Sequence, residues 1–188
     1  MAATLLAVDG LVAGYDKPVI GPLSFNINPG DIVGLWGANG CGKSTLLRAI
    51  AGNARIIEGS IEHAVGLRIA WQVQQPVRLD EMPLNGHDYL RYAQAGSSPP
   101  PERMKAWLDR RIDTLSGGQF QLLAVWAVLA GAADLVLLDE PTNNLDPEGQ
   151  QVLTELLHMD RSQRALLVVS HERGFLESAC THFIEVDM

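Results

Sequence analysis

Gly37-Ala38-Asn39-Gly40-Cys41-Gly42-Lys43-Ser44 is the stretch on which the fold turns. It follows the continuous apolar run Ile32–Trp36 and precedes Leu46, Leu47, Ile50 and Ala51, which recur at helical spacing. Strand, glycine-rich loop and helix in that order make G-x-x-x-x-G-K-S a phosphate-binding loop rather than an ordinary turn. Gly37, Gly40 and Gly42 let the backbone bend so that successive N–H groups point at phosphate oxygens, and the following helix adds its positive end. Lys43 neutralises phosphate charge, and the Ser44 hydroxyl suits a Mg²⁺ ion carried by a nucleotide.

Further along, Leu135-Val136-Leu137-Leu138-Asp139-Glu140 places two carboxylates at the end of a buried strand, the edge at which open α/β sheets bind ligands. Asp139 suits the Mg²⁺ shell. Glu140, one residue beyond the strand, can hold and deprotonate a water in line with a terminal phosphate.

Around these two anchors the pattern alternates. Strands are predicted over 4–12, 23–27, 66–74, 135–138, 165–169 and 182–186, with a turn-rich stretch over 14–22. Helices are predicted over 84–95, 103–111, 120–130 and 172–179, and another opens at Asp146-Pro147, where a capping carboxylate precedes a proline. Alternating strands and helices imply an α/β fold with a mainly parallel sheet. Ser116-Gly117-Gly118-Gln119 opens the almost wholly apolar helix over 120–130, a second ready anion site.

The chain has 188 residues with 14 Lys+Arg against 22 Asp+Glu, a net charge of −8, which disfavours nucleic acid as the main ligand. Its longest uncharged apolar run, 122–133, falls short of the roughly 20 residues that cross a bilayer. No signal peptide is visible at the start, and two cysteines without paired spacing fit a reducing compartment, so the cytosol is expected. Cys180-x-His182 is the nearest approach to a metal-ligand spacing, so the metal expected here is the nucleotide's Mg²⁺.

The chain resembles the nucleotide-binding subunits of ABC-type ATPases over nearly its whole length. The resemblance rests on five motifs in family order: 37–44, Leu115-Ser116-Gly117-Gly118-Gln119, the strand ending at Asp139-Glu140, Asn144-Leu145-Asp146, and Ser170-His171. It implies a P-loop NTPase core over 31–75 and 131–188, an N-terminal antiparallel β subdomain over 4–30 and a shortened helical subdomain over 76–130, all in one domain. It also implies ATP and Mg²⁺ as ligands. Tyr15 would stack on adenine; Gly37, Asn39, Gly40, Cys41, Gly42, Lys43, Ser44 and Thr45 would bind the nucleotide, with Ser44, Gln74 and Asp139 around the Mg²⁺. Gln72 and Gln75 rival Gln74 for that position. Glu140, His171 and Gln74 would be catalytic, and Ser116, Gly117, Gly118 and Gln119 would cap an ATP held by a second copy. Asp146 would lie at the contact between the two copies.

The segment from Gln74-Gln75-Pro76 through Leu79, Asp80, Glu81, Met82, Pro83 and Leu84 to Tyr89-Leu90 resembles ATPases of zinc and manganese importers. That implies a subunit on the cytoplasmic face of the membrane, powering separate integral membrane permeases. In contrast, 140–146 and 170–176 resemble soluble, ribosome-associated ABC ATPases, which carry two such domains on one chain. One phosphate loop and one signature favour the transport subunit. The helix after Gln119 departs from the family, reading Phe120-Gln121-Leu122-Leu123-Ala124-Val125-Trp126 where arginines are common.

Overall fold

The computed structural model describes residues 4–74, 83–96, 98–159 and 164–186. In chain order the elements are β1 (Leu6–Gly14), β2 (Pro18–Ile27), β3 (Ile32–Trp36), α1 (Lys43–Ile50), β4 (Arg55–His63), β5 (Ile69–Gln72), α2 (Gly86–Tyr92), α3 (Glu102–Leu108), a 3-10 turn (Ile112–Thr114), α4 (Gly117–Leu129), β6 (Leu135–Asp139), α5 (Pro147–His158), β7 (Ala165–Ser170), α6 (Arg173–Ala179) and β8 (His182–Glu185). The fold is α/β, as the alternation predicts.

Every residue of β6 and β7 is buried, which is why both read as unbroken apolar runs. They lie inside a parallel sheet ordered β5-β6-β7-β3-β8. Its two faces feed separate cores by strict alternation. Leu135, Leu137, Leu167, Val169, Val33 and Leu35 pack with α1 and the antiparallel sheet; Val136, Leu138, Leu166, Val168 and Ile32 pack with α4, α5 and α6. A one-residue slip of either strand would exchange these faces.

A second, antiparallel sheet is ordered β2-β1-β4. Here the chain departs from its sequence pattern twice. The stretch 14–22 predicts turns, yet β2 already begins at Pro18, because an edge strand with register shifts accommodates Gly21 and Pro22. β4 is absent from the predicted strands, and the expected division gives 31–75 entirely to the core, whereas β4 pairs with β1 in the antiparallel sheet. The missing signal is physical: β4 is an edge strand with no buried residue, so it shows no apolar alternation. Gly59 sits at φ 74° in its middle, where a Cβ would come within 2.4 Å of the Gly10 carbonyl.

α4 is buried on nearly every side and packs against α5, β5 and β6, so the end of the stretch 76–130 joins the core layer. Arg164 donates to the carbonyls of Leu129, Gly131 and Ala133, satisfying acceptors at and beyond the end of α4. Tyr89 of α2 meets Phe120 of α4 edge-on, with ring centroids 5.4 Å apart, which ties the small helices to the core. No helix among the described residues is long and apolar enough to cross a membrane.

Candidate functional site

Because β7 lies between β3 and β6, three carboxyl ends converge on one edge: the loop 37–44, the pair Asp139-Glu140 and the turn Ser170-His171. Gly42 ends the loop at φ 94° as the N-cap of α1, with no side chain capping the helix. A Cβ there would also lie 2.8 Å from both the Val19 carbonyl and Ile20, so only glycine fits. The uncapped N–H groups of α1 are thereby left for an anion.

Lys43 is 6% exposed, and its Nζ donates to the carbonyls of Gly37 at 2.7 Å and Ala38 at 2.9 Å. Those bonds use two of its three N–H donors. Val19, Asn39, Gly40, Gly42, Lys43, Ser44, Thr45, Gln74, Glu140, Asn143 and His171 line a cleft of about 470 Å³. Nine of the eleven are candidate positions from the sequence. Gly37 and Cys41 support the loop from below: the first accepts from Lys43, and the second is buried. Gln74 reaches this cleft, whereas Gln72 is buried in β5 with its amide donating to the Val73 carbonyl; Gln75 lies outside the described residues. Tyr15 is 45% exposed in the β1–β2 turn and does not line the cleft; its hydroxyl accepts from Arg48 of α1 at 2.7 Å.

Asp139 is buried with Oδ1 lacking any hydrogen-bond partner. Burial pushes its carboxyl above the ordinary carboxylate range, against the pull of a hydrogen bond from the Ser44 hydroxyl and of the Lys43 charge. A desolvated carboxylate oxygen with a spare lone pair beside a serine hydroxyl is a donor set for a hard divalent cation. Glu140 is buried too, in the left-handed region at φ 50°, a conformation a non-glycine residue holds only when its surroundings impose it. The imposing contacts are visible: its N–H donates to the Val169 carbonyl, and its Oε2 lies 2.8 Å from His171 Nδ1 and 3.3 Å from the His171 amide, which donates to it.

The signature lies in another cleft. Ser116, Gly117, Gly118 and Gln119 share about 870 Å³ with Asn144, Asp146, Glu148 and Gly149, floored by Trp107, Leu122 and Val152 and edged by Arg103. Ser116 and Gln119 form a reciprocal capping box at α4, and Asp146 caps α5 by accepting from the Gly149 amide at 2.7 Å. A Cβ on Gly118 would lie 2.9 Å from the Asn144 carbonyl, so glycine lets the two turns touch. The two clefts share no residue, but adjacent residues line them: Asn143 the first and Asn144 the second. Val19 and Asn143 are absent from the sequence candidates. Nothing in a lone valine marks it; Asn143 could have been found from its place three residues beyond Glu140.

Comparison with known proteins identifies the family. The family model for ABC transporter matches residues 20–143. The zinc import ATP-binding protein ZnuC of Paracoccus denitrificans is 37% identical over 182 residues, covering 92% of this chain and 71% of that one. ZnuC of Roseobacter denitrificans is 34% identical over 191 positions, covering 96% and 74%. A solved ATP-binding subunit of an ABC transporter superposes with a TM-score of 0.80 at 27% identity, covering 97% of this chain and 85% of that one. With its motifs in family order, and with a family match over more than half of its length, the chain belongs to the ABC transporter family as one of its ATP-binding subunits.

Proposed function

We propose that this ATPase subunit binds Mg-ATP in the cleft above 37–44, hydrolyses it within a pair formed with a second copy, and powers a separate membrane permease that imports zinc or a similar metal ion. The observation that carries the catalytic part is the buried Glu140, held by His171 in the same cleft as Lys43. Glu140 accepts the proton of a water as its oxygen bonds to the γ-phosphorus, and the bond to the β-phosphate oxygen breaks to release ADP. Lys43 and the N–H groups of α1 neutralise the phosphates. Ser44 and Asp139 hold Mg²⁺, with Gln74 beside them, and the ion supplies further neutralisation of phosphate charge. His171 orients Glu140 through Nδ1, which leaves Nε2 for the terminal phosphate.

The separation of the two clefts supports the pairing, since one chain presents a phosphate loop and a signature to different places. The cargo rests on the likeness to zinc import relatives. Cells lacking this chain should lose uptake of radiolabelled zinc, the intact chain should restore it, and Lys43→Ala should not. Uptake that is unchanged without the chain would remove zinc as cargo. Recovery of the tagged chain on ribosomes at physiological salt, rather than with solubilised membrane proteins, would overturn the transport reading.

A further inference from the structure

Trp36 is the last residue of β3 and stands immediately before the phosphate loop, yet its side chain faces the other catalytic turn. Its indole N–H donates to the main-chain carbonyl of His171 at 3.3 Å. Two residues further on, the Arg173 guanidinium lies over the Trp36 ring at 5.3 Å and over the Phe183 ring at 5.5 Å, while Glu177 holds it from α6 at 2.8 Å. The indole therefore grips the 171–173 segment at two points, by a hydrogen bond on one side and by its π face on the other.

The grip matters because of what His171 does with its remaining groups. Its amide and its ring Nδ1 both point at Glu140 Oε2, so the backbone orientation of this one residue sets where the carboxylate is held. His171 itself lies outside β7, which ends at Ser170, so the ladder with β3 does not fix its carbonyl. Trp36 supplies the missing anchor from the neighbouring strand. We infer that Trp36 is a positioning residue for hydrolysis: by fixing the carbonyl of His171 and the first turn of α6, it holds the His171–Glu140 pair in register with the phosphate loop that begins at the next residue. This rests on the assignment of Glu140 as the base.

Trp36→Phe keeps a ring for Arg173 and for the core but removes the N–H. In the full-length variant, the His171 amide should exchange with solvent about five- to tenfold faster by NMR, the scale of one lost hydrogen bond. The amides of Leu167 and Val168, inside β7, should be unaffected, as should the unfolding midpoint to within a few degrees. In ATP turnover, kcat should fall by about the same factor, with KM for ATP changed less than about twofold, since phosphate binding uses Lys43 and α1. An unaltered His171 exchange rate, or a rise in KM with kcat preserved, would overturn the positioning role. The exchange measurement needs no ATP, so it stays separable from the catalytic assignment. That assignment fails instead if Glu140→Gln hydrolyses ATP at the parent rate.

Discussion

Lys43 illustrates how a single residue serves both fold and ligand. Its ammonium is buried against two loop carbonyls, so the positive charge is in place before any phosphate arrives, and the loop is already bent around it. Replacing it with alanine removes a donor from the carbonyls of Gly37 and Ala38 and the cation that offsets phosphate charge in a desolvated cleft. Lys43→Ala should therefore lower ATP affinity by at least about a hundredfold, read by equilibrium titration with a fluorescent ATP analogue. Tyr15→Ala serves as the contrast. Tyr15 lies outside the cleft lining and bonds Arg48, so its loss should weaken binding far less. Equal affinity in the Lys43 variant and the parent would remove the phosphate-loop assignment.

Elements meet in register because specific side chains tie their first residues together. Arg68 and Asp134, immediately before β5 and β6, form a two-pronged pair: Nε donates to Oδ2 at 3.0 Å and Nη2 to Oδ1 at 2.8 Å, while the Arg68 amide adds a third bond to Oδ2. The Arg68 side-chain bonds, with its amide, hold the Asp134 carboxyl down to about 2. A carboxylate whose folded value lies below its unfolded value stabilises the fold above the unfolded value, and that contribution disappears as pH falls toward the folded one. Asp134→Asn should thus lower the unfolding midpoint by a few degrees near neutral pH, a modest amount because Arg68 is largely exposed. The gap to the parent should shrink between about pH 5 and pH 2, and a gap that is constant across that range would show that the charge contributes nothing. Elements like these are legible in sequence to the extent that burial marks them. β3, β6, β7 and α5 are announced by apolar runs or a capping pair, and the structure places them within a residue or two of expectation. β4 is not, because an edge strand with no fully buried residue leaves little hydrophobic trace, and neither is the start of β2, where a bulge absorbs residues that usually break strands. The site divides similarly. Glycine, lysine and acidic residues whose chemistry is tied to spacing are legible, and Asn143 is within reach from its place three residues beyond Glu140; Val19 and Trp36 are not, since their roles come from neighbours distant in sequence.

At the scale of the whole molecule, the separation of the two clefts has a consequence for assembly. Asn143 lines the phosphate cleft and Asn144, at φ 63°, lines the signature cleft, so one short turn borders both. If a second copy's signature covers the ATP bound here, each nucleotide bridges two chains, and its hydrolysis removes the bridge. Glu140→Gln keeps the side chain's shape and can still bond to His171, but it cannot accept a proton from water. The ATP-bound pair should then persist. Size-exclusion chromatography with light scattering should find the Glu140→Gln chain as a monomer without nucleotide and as a dimer with Mg-ATP, while the parent with Mg-ATP returns to monomer. Adding Ser116→Arg places a cation and a long side chain in the signature cleft, so this second variant should stay monomeric while its own Lys43 and Ser44 still bind ATP. Dimers that form equally well with Ser116→Arg would show that the signature cleft is not where the second copy sits. A Glu140→Gln chain that stays monomeric at saturating Mg-ATP would show that nucleotide alone does not join the two copies.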